Sequence, residues 1–487
     1  MTDDSSPLLT DGTRAPGRAR PPEKVRWRAT SGYDAAMVAG VVLLGLGLII
    51  GRADVALLGA PGLVAAVLAR SARPARLTEA WLEEPSGPTS PGDVSATVVI
   101  DAPDEAGLAH LRINAPGHRE TQVIVVARSA GEPDAEGEAS EARRVALPHA
   151  VPGFAAERRG DPGFGPRRIP LTLASVRTGP QETFTVGLRA YGPAGVWEQL
   201  PGETHGKRRL VLPAASPLGR LPLPGRLRGL TGPHTSRRLG DGAELRDVHP
   251  FAPGDRLRRI DWRTTARRSP DLDTLYVRRT YATAEATAML VVDSRDDVGP
   301  DVRTWRGYGT QRVDEPTSLD LARNAAASVA TALVGAGDRV GFQDLALQRR
   351  PLPPAAGQRH LRRLLHALAL AHPLDRATHH RVRPPQVPAD AIVYLFTTML
   401  DDEPLGLVRT WRELGHAVVL VDTLPDVHAV AEPHLRIGWR IARMERADRL
   451  AALRREGVPV IAWAGSQRTQ AATRLEAVAR ENERLRR

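Results

Sequence analysis

The feature that most constrains this chain is a seventeen-residue run without a charge, Ala35 to Gly51, AAMVAGVVLLGLGLIIG. At about 1.5 Å per helical residue, a helix from Tyr33 to Gly51 nearly covers the ~30 Å hydrocarbon core of a bilayer. Arg52 and Asp54 interrupt it, and a second apolar stretch, Val55–Ala69, follows with Gly59, Pro61 and Gly62 inside it. The second stretch is weak alone, but it serves as the return half of a hairpin, and Gly47 and Gly51 have the small-xxx-small spacing that lets helices approach. We expect a transmembrane hairpin over 33–70. A cleaved signal peptide fits less well, because the charged leader is long and a second apolar stretch follows.

Arg14, Arg18, Arg20, Lys24, Arg26 and Arg28 precede the first stretch, and Arg70, Arg73 and Arg76 follow the second. The positive-inside rule then expects both flanks on the cytoplasmic face of a multi-pass plasma-membrane protein. Residues 1–32, rich in Pro, Arg, Ser and Asp, read as a disordered tail.

The net charge of +11 invites a nucleic-acid or anionic-lipid reading. Lys24 and Lys207 are the only lysines, however, and the arginines are spread along the whole chain, which a coding bias also produces. We expect no nucleic-acid partner. With no cysteine, disulfides, thiolate metal sites and a catalytic thiol are excluded.

Residues 80–213 alternate with period two. Ser95–Ile100, Leu108–Ile113, Glu120–Ala127, Ile169–Val176, Glu182–Leu188 and Lys207–Leu212 are short strand-like runs separated by Gly and Pro, which predicts a β-sandwich-like domain. The acidic stretch Gly131–Glu141 reads as a loop. Residues 214–239 are too rich in Pro and Gly for regular structure and read as a linker.

From 240 to 465 apolar strands alternate with helices, which predicts an α/β domain with a mostly parallel sheet. The strands are Ala288–Asp293, Arg339–Phe342, Ala391–Phe396, Ala417–Asp422 and Val458–Ala462. The helices are Leu319–Val334, with a polar stripe at Asn324, Ser328 and Thr331, then Gln358–Leu370, Pro404–Leu414 and Ala447–Glu456. Residues 466–487 read as a charged C-terminal helix.

Ligands of such sheets bind beyond the carboxyl ends of the strands. That selects Asp293, Asp344, Asp401, Asp402 and Asp422 with Thr397 and Thr398, an acidic mouth with the chemistry to hold Mg²⁺. A Mg-dependent hydrolase is one reading. Receiver-type and haloacid-dehalogenase-type enzymes would add a Lys, and this domain has none. There is no GxxxxGK[ST] loop and no GxSxG elbow. His379–His380 lies in a polar, Pro-rich stretch and reads as a solvated loop.

Gly240–Arg278, GDGAELRDVHPFAPGDRLRRIDWRTTARRSPDLDTLYVRR, resembles the signature of the domain of unknown function 58 family. The matching residues are Leu245-Arg246, Pro253-Gly254-Asp255, Arg258-Arg259-Ile260-Asp261-Trp262, Ala266-Arg267 and Val277-Arg278. Asp261 stands where many members have His, and Tyr191–Trp197 resembles the family's turn before the linker. The resemblance implies membrane anchoring, a von Willebrand A-like (Rossmann-like) domain and a MoxR-type AAA ATPase as partner. The function it implies is a non-enzymatic scaffold or adaptor for assembly or maturation of other proteins at the membrane.

Von Willebrand A domains hold Mg²⁺ with an Asp-x-Ser-x-Ser loop plus a Thr and an Asp from other loops. Here the loop reads Asp293-Ser294-Arg295-Asp296-Asp297, and the Thr position appears as Gly357-Gln358-Arg359, without a Thr. Asp293, Asp297 and Asp401 are therefore candidates for a degenerate metal site only, and we expect no resident cofactor. In the signature, Asp255 and Asp261 interleaved with Arg256, Arg258, Arg259 and Arg263, with a tight turn at Gly254 and Trp262 as anchor, and the matching Arg246 and Arg267 on either side, read as an interdomain clamp. A partner-docking surface and a nucleic-acid site are the alternatives.

Overall fold

The structure, a computed structural model, describes residues 26–71, 73–85, 90–103, 106–126, 167–192, 195–227, 232–306, 310–346, 350–373, 384–465 and 467–486. The acidic stretch 131–141, His379–His380 and most of the N-terminal tail lie outside them. Two compact units form: residues 1–175 with 182–209, and residues 176–181 with 210–487.

In the first unit, helix α1 (Ser31–Ile50) is the one described helix long and apolar enough to cross a membrane, with mean hydropathy 2.1. Thr30 caps its start, and Gly51, at φ 70°, ends it in the left-handed conformation that glycine tolerates. Helix α2 (Ala53–Ser71) follows, carrying Pro61. The close approach does not use the Gly47/Gly51 pair. A Cβ on Gly47 would stand 2.3 Å from the Ala56 nitrogen, and one on Gly59 would stand 2.6 Å from the Gly40 carbonyl oxygen. Gly51 serves the turn instead.

Strand β1 (Trp27–Ala29) lies inside the segment expected as a tail. It pairs antiparallel with β9 (Trp197–His205), and Trp27 is 5% exposed, its Nε1 donating to the Arg76 carbonyl at 3.0 Å. One buried indole is enough to order three residues that are otherwise too polar to signal a strand. The remaining strands are β2 (Glu79–Glu83), β3 (Asp93–Asp101), β4 (Leu108–Ala115), β5 (His118–Val126), β6 (Arg167–Ala174) and β8 (Thr185–Tyr191). They make two antiparallel sheets, β1-β9-β8-β4-β5 and β2-β3-β6. Ala109, Leu111 and Ile113 of β4 and Val94, Ala96 and Val98 of β3 are buried at alternate positions, the period that gives each sheet one apolar face.

Between β6 and β8 the chain makes β7 (Gly179–Glu182), whose residues up to Gln181 belong to the second unit. Arg177 and Thr178 meet a buried pair on helix α4 (Ser318–Gly335). Asp320 accepts from the Thr178 amide and hydroxyl, both at 2.7 Å, and pairs with Arg177 at 3.2 Å. Arg323 donates to the Thr178 carbonyl at 2.9 Å and to Ala371 O at 2.5 Å. Asp320 also completes a capping box with Thr317.

The second unit starts at the end of β10 (Arg208–Val211) and carries a long antiparallel arm, β11 (His234–Pro250) with β12 (Tyr276–Ala284). Helix α3 (Trp262–Arg268) lies in the connection. The segment expected as linker therefore ends in a strand. Its earlier part is seated as a strap: Leu221 is buried, and Asn324 and Ser328 of α4 bond Ala214 O at 2.5 Å and the Ser216 amide at 2.8 Å. Two residues of the polar stripe foreseen on this helix thus hold the strap.

The main sheet contains β13 (Thr287–Val292), β14 (Arg339–Asp344), β15 (Leu352–Ala355), β16 (Ile392–Thr397), β17 (Val418–Asp422) and β18 (Val460–Ala462), in the order β15-β14-β13-β16-β17-β18. It is mixed. β15 pairs antiparallel at the edge, and the other pairings are parallel. β13 is buried on both faces, Leu290 and Val292 in one core with α4 and α5 (Gln358–Leu370), Met289 and Val291 in the other with α6 (Glu403–Glu413) and α7 (Pro433–Arg455). Helix α7 begins well before the expected Ala447, and α8 (Gln467–Arg486) closes the chain.

Arg323→Ala should remove the partner of buried Asp320 and free the Arg177–Thr178 segment. The expected loss is about 3–5 kcal/mol of folding stability, read as a fall in the urea midpoint of the detergent-solubilised chain. A loss under about 1 kcal/mol would show that water reaches this pair.

Candidate functional site

Parallel pairing brings the carboxyl ends of β13 and β16 side by side, so Asp293, Thr397 and the Asp401 loop converge. Arg295 turns back into this space. Its side chain is 5% exposed. Nε and Nη2 donate to the two oxygens of Asp293 at 2.8 and 2.9 Å, a bidentate pair. Nη1 reaches Glu403 at 2.6 Å and Asp401 at 3.1 Å. Thr397 Oγ1 donates to Asp293 at 2.8 Å. Asp401 also accepts from the Glu403 amide at 3.2 Å, at the first turn of α6.

The other mouth carboxylates have partners too. Asp422 pairs with Arg446, whose Nε donates to Thr398 O at 2.7 Å. Asp402 pairs with Arg449, and Asp344 accepts from Ser294 Oγ and from the Ala346 amide at 2.9 Å. Burial disfavours the Arg295 charge, but Asp293, then Asp401 and Glu403, outweigh it and hold the guanidinium well above its ordinary pKa. Burial raises the Asp401 carboxyl, and Arg295 partly offsets it. Burial and the charges of Asp293 and Asp401 raise Asp296.

Of the three candidate metal ligands, Asp293 and Asp401 meet, and Asp297 does not join them. It accepts from the Leu319 amide at 3.3 Å, near Thr317 and Asp320. Among the described residues, no cluster of three His, Asp or Glu side chains has metal-holding geometry. A divalent ion does not fit these residues as they stand, because the shared space between Asp293 and Asp401 holds a guanidinium.

The signature residues form the far end of the β11/β12 arm. Asp241 gathers Arg256 at 2.9 Å, Arg258 at 3.5 Å and Arg259, and Arg259 also donates to Gly240 O at 2.7 Å. Asp255 accepts from the Ala252 amide at 2.9 Å and lies 3.3 Å from Arg279 and 3.5 Å from His249. The Ala252 amide, with Arg279, lowers its pKa against the cost of desolvation. Gly254, at φ 99°, makes the turn. Asp261 caps α3 through the Thr264 amide at 3.0 Å, which lowers its pKa. Arg246 approaches Asp247 at 3.7 Å, and Arg267 is exposed.

Trp262 is 62% exposed, so it does not anchor a buried clamp. Leu257, five residues before it, and Leu272, ten residues after it, are 68% and 55% exposed. The physical reason is local. The short α3 is held by Thr265, fully buried, whose Oγ1 accepts from the Tyr276 amide at 3.0 Å, while Trp262, at the first position of the helix, stays in solvent. Glu403 and Asp241 were missed from sequence. Glu403 follows the acidic pair Asp401-Asp402, and Asp241 stands between two glycines at the head of the motif, so both were visible.

Arg295→Ala should leave three carboxylates around an empty buried space. We expect a loss of about 3–5 kcal/mol of stability at pH 7, read by urea unfolding. The loss should shrink when Glu403→Gln is added, because one repelling charge goes with it. An additive double variant would show that the two side chains do not interact.

The sequence profile of the family described as protein of unknown function DUF58 matches residues 247–427. An uncharacterized protein of Mycobacterium bovis and one of Mycobacterium tuberculosis are each similar, 30% identical over 202 residues, which is 41% of this chain and 53% of theirs. The chain spans about half the length of these curated relatives. No solved structure matches it.

Proposed function

We propose that the chain is a membrane-tethered, non-enzymatic scaffold whose β11/β12 arm docks a protein partner. The observation that carries this reading is the contrast within the arm. Asp241 and Asp255 gather Arg256, Arg258, Arg259 and Arg279 into ion pairs, while Trp262, Leu257 and Leu272 stay exposed. Exposed Trp near paired arginines is the composition of an interface hot spot. The resemblance to the domain of unknown function 58 family supplies the partner, a MoxR-type AAA ATPase, acting in assembly or maturation of other proteins at the membrane. It also supplies the reading of the mixed sheet as von Willebrand A-like.

In this proposal α1 and α2 form a two-pass hairpin in the plasma membrane, with both units cytoplasmic. Support comes from the apolar α1, the helix contact at Gly40, Gly47 and Gly59, and the basic flanks. The alternative of a Mg-dependent hydrolase loses support because Arg295 already neutralises the carboxylates such chemistry would use. A nucleic-acid role for the arm loses support because four of its arginines, Arg256, Arg258, Arg259 and Arg279, already pair with Asp241 and Asp255.

Trp262→Ala should lower capture of the neighbouring ATPase from solubilised membranes by about tenfold or more, a 1.4–2 kcal/mol effect. The urea midpoint of the variant should stay within about 0.5 kcal/mol of the parent. Normal capture by Trp262→Ala would remove the arm as the docking surface. Protease added outside intact cells should leave the units uncut, and cleavage there would reverse the proposed orientation.

A further inference from the structure

A second charged surface is built on the opposite principle. From Leu345 to Leu374 the sequence contains no Asp or Glu, yet it carries five arginines. Helix α5 places Arg359, Arg362, Arg363 and His366 at i, i+3, i+4 and i+7, one face of the helix. All four are exposed, as is Arg350 from the start of the edge-strand segment. Together they line a cleft of about 740 Å³. Its floor is apolar, with buried Phe342 from β14 and Leu352 from β15. Among the described residues, no carboxylate pairs with Arg350, Arg359, Arg362 or Arg363.

Unpaired like charges one helical turn apart repel, so the cleft carries an electrostatic cost that a bound anion would relieve. The spacing is short, about 5–6 Å between neighbours on the helix face. That suits one compact, multiply charged anion taking several guanidinium pairs better than a row of separated carboxylates. The apolar floor suits a hydrocarbon or ring attached to that anion, and the volume is in the range of small-molecule clefts. The edge strand itself carries Pro353 and Pro354, which discourages an added peptide strand.

We propose that this cleft binds a phosphate ester, its phosphate held by Arg359, Arg362, Arg363 and Arg350 and its apolar part over Phe342 and Leu352. Two sources carry that chemistry, a soluble phosphate monoester and the monoester headgroup of phosphatidic acid. The site is separate from the signature arm, so it stands or falls independently of partner docking.

The test uses the full chain in a non-ionic detergent at low salt. Calorimetry is run with phenyl phosphate, with inorganic phosphate, and with phosphatidic acid against phosphatidylcholine in mixed micelles. The Arg362→Gln/Arg363→Gln variant is measured beside the parent, and its unfolding midpoint, unchanged for exposed residues, shows that it folds. Phenyl phosphate should bind more tightly than inorganic phosphate if the source is soluble. Phosphatidic acid alone should bind if the source is lipid. Either affinity should fall on the order of tenfold or more in the variant. Absence of binding by both, binding that the variant leaves unchanged, or stronger capture of a glutamate-rich peptide or duplex DNA would overturn the proposal.

Discussion

The guanidinium of Arg295 is a cation built into the chain at the carboxyl edge of the sheet. It joins the end of β13 through Asp293, the loop after β16 through Asp401, and the first turn of α6 through Glu403. Those are the places where an open α/β sheet presents its ligand-binding crevice. A guanidinium is planar and directional and cannot dissociate, so it fixes the three elements permanently where a metal would fix them on demand. Burial opposes the charge, and the surrounding carboxylates reverse that penalty. With Arg446 on Asp422 and Arg449 on Asp402, the mouth is filled from three sides by arginine. On the proposed reading the crevice is a structural joint, and the surfaces used for function lie elsewhere in this unit.

Much of this was legible in the residues. Ala288–Asp293, Ala391–Phe396 and Ala417–Asp422 are continuous apolar runs, and each is a central strand because both faces need apolar cover. Arg295 at a ligand position was visible, as was the polar stripe on α4. What the sequence hid has physical causes. The first three turns of α7 have no buried stripe, with Ile437, Ile441 and Met444 exposed, so periodicity pointed only to its last part. Strand β15 contains two prolines and reads as loop. Strand β11 is polar and interrupted by register shifts, which breaks the period-two pattern. Trp262 was the sharpest error, since a large indole is usually core, and only the fold reveals which side of α3 faces solvent.

Arginine has three separate uses in this nearly lysine-free chain. Buried arginines, Arg295 and Arg323, act as joints between elements. Arg256, Arg258, Arg259 and Arg279 of the arm pair with Asp241 and Asp255 beside apolar residues that stay exposed. Among the described residues, the arginines of α5 meet no carboxylate. A net charge of +11 describes none of these uses, because each depends on where the carboxylates fall.

The claim that Arg295 stands in for a metal ion is tested most directly by calorimetric titration of Mg²⁺ into the full chain and into Arg295→Ser, which restores a hydroxyl and removes the guanidinium. The account predicts no specific heat in the parent and a saturable site in the variant that disappears when Asp293→Ala is added. Saturable Mg²⁺ binding by the parent, abolished by Asp293→Ala, would contradict it and return the mouth to the role of a metal site.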